Sequence, residues 1–104
     1  MGTYYYHVTL AANEKSIRLL GLCARFSRKK RQAVWLCDEI DLMRAIAHTA
    51  GKPWARGQQL LIVRADMDGA HLRKHPSGYY YYCGDVPAKL LTYRCLDLMG
   101  GYEK

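Results

Sequence analysis

The apolar positions of the chain change period several times, and each change marks an element. Thr3–Leu10 alternates loosely and is rich in Tyr, Val and Thr, which suit a pleated, half-buried surface, so it reads as a strand. Glu14–Leu20 carries Ile17 and Leu20 three apart, a helical spacing that would turn both to the core, with Asn13 placed as N-cap and Gly21 as the stop. Ala33–Val34–Trp35–Leu36–Cys37 is a compact apolar strand, with Trp35–Cys37 expected in a central position. From Asp38 the period is helical again. Ile40, Met43, Ile46, Ala47 and Ala50 predict the buried stripe of a helix over Glu39–Ala50. Asp38 would cap it, Glu39 and Asp41 would sit in the first turn where the helix dipole favours them, and Gly51 and Pro53 end it.

The second half is strand-rich. Gln59–Ala65 is almost continuously apolar, the pattern of a central strand. Asp66–Met67–Asp68–Gly69 leaves it by a turn. Tyr79–Cys83 is a further strand, Gly84–Asp85–Val86–Pro87 a break, and Thr92–Leu98 a last strand before Gly100–Gly101. The order β–α–β–α–β–β–β, with strands clustered late, predicts an α+β fold with mixed or antiparallel pairing rather than a doubly wound parallel sheet. At 104 residues the chain has room for one core, expected over 1–99 with 100–104 as a loose tail.

Composition narrows the classes. Hydrophobic residues at 50% and charged residues at 24% exclude a disordered chain. No apolar run approaches the ~20 residues of a spanning helix. Tyr4–Tyr5–Tyr6–His7 is too polar for the apolar stretch of a secretory signal, so none is expected. Cys23, Cys37, Cys83 and Cys95 form no CxxC, and each lies in or beside an apolar run. They read as free, buried thiols in a reducing compartment, ahead of a zinc site or disulfides, so a cytoplasmic location is expected.

The net charge of +7 is large for this size. Much of it lies in Arg25–Phe26–Ser27–Arg28–Lys29–Lys30–Arg31, with a second cluster at Arg73–Lys74–His75. A basic loop carrying one aromatic suits a phosphate backbone, so Arg25, Arg28, Lys29, Lys30 and Arg31 are candidate contacts to RNA or DNA; the alternative is a solvated loop tip. In Tyr79–Tyr80–Tyr81–Tyr82, alternate rings leave the core, either as a platform for bases or as ordinary strand aromatics. His71 and His75 lie four apart, but Pro76 and the missing third ligand argue against a metal. Asp66 and Asp68 flank a turn that Gly69 explains, which leaves no paired-carboxylate hydrolase.

Three segments, in order, resemble the ADP-ribosyltransferase fold. Tyr6–His7–Val8–Thr9 followed by Ser16–Ile17–Arg18–Leu19–Leu20–Gly21–Leu22 is similar to the opening of RNA 2′-phosphotransferases and of the poly(ADP-ribose) polymerase-type branch. Ala33–Val34–Trp35–Leu36–Cys37–Asp38 looks like that group's strand leading into a helix. Tyr79–Tyr82 with Asp85–Val86–Pro87–Ala88–Lys89–Leu90–Leu91 looks like its closing strand and turn. The resemblance spans almost the whole chain, with Val8 where a Gly is usual. It implies a split pair of small mixed or antiparallel sheets with two short helices and a cleft that holds NAD.

It further implies that His7 bonds the ribose beside the nicotinamide and serves the reaction, that Thr9 helps to place the ligand, and that Trp35 stacks on the nicotinamide, with Tyr80 beside them. An imidazole can donate to and accept from ribose hydroxyls, and an indole face suits a cationic pyridinium ring. Where one branch carries a catalytic Glu, this chain has Gly78–Tyr79–Tyr80. RNA 2′-phosphotransferases also lack that Glu. The function implied is an NAD-dependent transferase acting on a nucleic-acid acceptor, by ADP-ribosylation or removal of an RNA 2′-phosphate. The alternative on the same fold is a non-catalytic module that binds NAD, an ADP-ribose nucleotide or a nucleic acid.

Overall fold

The computed structural model describes residues 3–27 and 31–96. In chain order its elements are β1 (Tyr4–Leu10), α1 (Glu14–Leu20), β2 (Val34–Leu36), α2 (Leu42–Ala50), β3 (Leu60–Asp66), β4 (Arg73–Lys74), β5 (Tyr80–Tyr82) and β6 (Leu91–Leu96). They build two three-stranded sheets, ordered β1-β3-β6 and β2-β5-β4, with every pairing antiparallel. This is the α+β class expected, with antiparallel rather than mixed sheets.

The near-continuous apolar run of β3 is explained by its place at the centre of the first sheet, buried on both faces. Leu61, Val63 and Ala65 face one core together with Val34 and Leu36 of β2, Ile17 of α1, Val86 and Leu91. Leu60 and Ile62 face the other core, where Ile46 of α2 meets them. The first sheet is thus sandwiched: α2 lies on one face, and α1 with the second sheet on the other. Period-2 alternation sends Tyr6, Val8 and Leu10 of β1 toward α2, while Tyr5 packs on the inter-sheet side.

Several expectations are corrected. The helix starts at Leu42, not Glu39, because Asp38 Oδ1 accepts the amide of Asp41 at 3.0 Å and turns the chain before the helix begins. Its buried side is then Leu42, Ile46, Thr49 and Ala50; Met43, one residue or about 100° further round, is 74% exposed. Ile40, ahead of the helix, is 91% exposed, and Ala47 is exposed too. In α1, Ile17 reaches the core and Leu20 does not.

Strand β2, expected to be central, is an edge of its sheet, because only β5 pairs along its length. Strand β4, two polar residues, is too short to leave a periodic signal. The four cysteines are free, but only Cys37 is buried; Cys83, just past β5, and Cys95, within β6, are exposed. No helix among the described residues is long and apolar enough to cross a membrane. Residues 97–98 of the expected last strand, and the tail 100–104, lie outside the described residues.

Candidate functional site

The two sheets touch along an interrupted seam. Tyr6 and Cys37 exchange both backbone bonds at 2.8 Å, an antiparallel bridge from β1 to the end of β2. Antiparallel geometry would make Val8 and Trp35 the next rung. That rung is missing. The Trp35 carbonyl instead accepts a hydrogen bond from His7 Nδ1 at 2.8 Å, so a side chain spans the gap where the strands part. By the same alternation the amide and carbonyl of Val8 face the opening, and no backbone bond carries them to β2.

This contact settles the state of the imidazole. A carbonyl can only accept, so Nδ1 carries the hydrogen, and in the neutral ring Nε2 is left as an acceptor. Burial lowers the His7 pKa below its usual value, and the opposing pull of the Trp35 carbonyl is the smaller effect. His7 is therefore neutral at pH 7, and its Nε2 has no partner among the described residues.

The parted strands open into a cavity of about 610 Å³, walled by β1, α1, the 21–27 segment, β2 and the C-terminal end of α2 with the turn after it. His7, Thr9 and Trp35 all line it. His7 and Thr9, two apart, share a face of β1. The Thr9 hydroxyl accepts from Asn13 Nδ2 at 2.9 Å, which leaves its own hydrogen to donate. Trp35 packs against Tyr81 and His75, with ring centroids 5.1 and 5.3 Å away.

Tyr80 is not brought to this cavity. It pairs with Leu36, whose side chain faces the inter-sheet core, and its ring meets Tyr5 edge-on at 5.1 Å. Tyr79 lines the cavity instead, with the Arg44 guanidinium 4.4 Å over its ring. Strand parity is the signal that separates them, since Tyr79 and Tyr81 share the side of Trp35. Asn13, Ser16 and Lys52 also line the cavity and carried no motif. Asn13 makes no side-chain cap on α1: its backbone is already in the helical region rather than extended, and its Nδ2 donates to Thr9.

No Asp or Glu lines the cavity among the described residues. Its polar equipment is the neutral imidazole of His7, a second imidazole from His48, hydroxyls, an amide and one lysine, which suits binding hydroxyls and anionic groups better than carboxylate acid–base work. Among the described residues no three His, Cys, Asp or Glu gather as metal ligands would. Of the basic loop, Arg25 lies over Phe26 at 4.8 Å and Arg31 over Tyr81 at 4.8 Å. Arg28, Lys29 and Lys30 lie outside the described residues.

Comparison with protein-family models, curated proteins and solved structures returns no match for this chain.

Proposed function

We propose that the cleft between β1 and β2 binds NAD, and that the chain is an NAD-dependent transferase of the ADP-ribosyltransferase type with a nucleic-acid acceptor. The observation that carries this reading is His7, fixed as the Nδ1–H tautomer by the Trp35 carbonyl and placed beside Thr9 and the Trp35 indole in one cavity. Nε2 accepts from a ribose hydroxyl, and the Thr9 hydroxyl donates. The volume of about 610 Å³ is that of a small-molecule site. The Val8 amide and carbonyl, a donor beside an acceptor, complement a primary carboxamide such as that of nicotinamide. Lys52 supplies positive charge for a diphosphate.

NAD brings a cationic leaving group whose departure gives an oxocarbenium-like ribose. The chain's own residues orient that ribose and cover the ring; the acceptor then takes C1″. Among the described residues the cavity holds no carboxylate, which supports a second reading: a module that binds NAD or an ADP-ribose nucleotide and does not turn it over.

Calorimetry with NAD and ADP-ribose, paired with an assay for nicotinamide release, separates these readings. Replacing His7 with Ala is expected to weaken both ligands by about 1–3 kcal/mol, roughly 5- to 150-fold. Trp35→Ala is expected to weaken NAD more than ADP-ribose, because only NAD carries the ring that Trp35 faces. A transferase loses nicotinamide release with binding, and a sequestering module has no release to lose. If the unaltered protein binds neither ligand, both readings fail.

A further inference from the structure

The outer face of the second sheet concentrates positive charge around an aromatic stack. Tyr81 stands opposite Trp35 on β2 and Arg73 on β4, on the side away from the core. Arg31 enters from the basic loop and lays its guanidinium 4.8 Å over the Tyr81 ring. Beside it opens a second cavity of about 490 Å³, lined by Arg31, His71, Arg73, Tyr82 and Cys83. Two guanidiniums and an imidazole share this space with no carboxylate among the described residues. Neither arginine takes part in an ion pair among the described residues. Like charges held together without a counter-charge repel, and an oxyanion relieves that repulsion while matching the planar donor fork of arginine.

We propose that Arg31, Arg73 and His71 seat a phosphate of a single-stranded nucleic acid, whose neighbouring base extends the stack of Trp35, Tyr81 and the Arg31 guanidinium. Bases stack on aromatic rings and on guanidinium planes only when unpaired, which selects single strands over duplex. Trp35 joins this surface to the cleft: it lines the first cavity and touches Tyr81, which Arg31 covers. A strand held here therefore lies one aromatic contact from the proposed ribose site. The assignment rests on the transferase reading only for the purpose of the bound strand; the phosphate site stands on residues that NAD binding does not use.

The test uses the full chain and labelled 12-nucleotide RNA and DNA of one sequence, with anisotropy read across a salt series. Arg31→Gln and Arg73→Gln are each expected to weaken binding about tenfold or more. Each should also flatten the slope against log salt by about 0.7. Tyr81→Ala should weaken binding roughly 5- to 100-fold and leave the slope unchanged. Tighter binding of RNA than DNA, or the reverse, identifies the sugar preferred within the same chemistry. Cys83 gives a site-specific readout, because this exposed thiol lines the cavity. Bound strand should slow its alkylation and leave that of Cys95, on β6, unchanged.

Circular dichroism and urea midpoints establish that each variant is folded, and an NAD titration is run beside the strand binding. That titration keeps the two proposals apart, since NAD binding can fail while strand binding stands. The proposal is overturned if neither strand binds at ~50 mM salt. It is equally overturned if the Arg31/Arg73 double variant keeps the parental affinity and slope, or if bound strand leaves Cys83 alkylation at its free rate.

Discussion

Burial holds His7 neutral, and that neutrality has a consequence for stability. Its folded pKa is lowered, whereas in the unfolded chain it returns to about 6.5. Between those values the unfolded state binds more protons, so stability falls as pH drops through 6.5 and levels off below the folded pKa. Urea midpoints measured from pH 7.5 to 5 should therefore fall more steeply for the parent than for His7→Asn, whose amide can still donate to the Trp35 carbonyl. Equal slopes would remove the buried neutral imidazole from the account. Cys37 gives a second expectation at this scale. Burial first, then the charges of Asp38 and Asp41, push its thiol up to about 12, so it is not a nucleophile at physiological pH. Iodoacetamide at pH 8 should modify Cys83 and Cys95 in the native protein, and Cys37 only after unfolding, as read by mass spectrometry.

Among the elements, the stop of α1 is the most constrained. Gly21 has φ 78° and ψ −167°, a region almost reserved for glycine, and a Cβ there would overlap the Val86 carbonyl oxygen. That carbonyl is taken by the Leu22 amide at 2.9 Å, so it cannot move aside without breaking the bridge. Gly21→Ala should cost about 3 kcal/mol in chemical denaturation. Gly57→Ala, at a similar φ but with open space around it, should cost about 1 kcal/mol. Helix α2 offers a matched pair: Ile46→Ala should lose about 2–5 kcal/mol and Met43→Ala less than about 0.5 kcal/mol.

That pair also shows what the sequence made legible. Strand β3 and helix α1 were readable because long periodic runs and a glycine stop outweigh local noise. The phase of α2 was not, because one Asx turn at Asp38 moved the start by three residues and rotated the apolar stripe. Strand β4 was hidden by its length, and β2 looked central because three apolar residues do not tell an edge from a middle.

For the whole molecule, the informative fact is how distant residues meet. His7, Thr9 and Trp35 were legible as candidates one at a time, and antiparallel registry brings them into one cavity. Lys52 and Asn13 were not legible, because nothing local marks a residue that reaches a cleft from beyond a helix end. The same registry placed Tyr79 in the cleft and Tyr80 against Tyr5, a distinction of one residue that the run of four tyrosines conceals.

The single rung between Tyr6 and Cys37 makes the junction of the two sheets a latch. Shared core packing resists separation of the sheets, but the mouth of the cleft is tied by two backbone bonds and one imidazole bond. Opening there should be a local fluctuation, far cheaper than global unfolding. The amides of Tyr6 and Cys37 both donate in that rung, so their hydrogen exchange reports directly on how often the latch releases. A ligand that fits between β1 and β2 should slow exchange at both positions together, and leave amides in the middle of β3 unchanged. The paired slowing would register any occupant of the cleft, including one whose chemistry had not been guessed in advance.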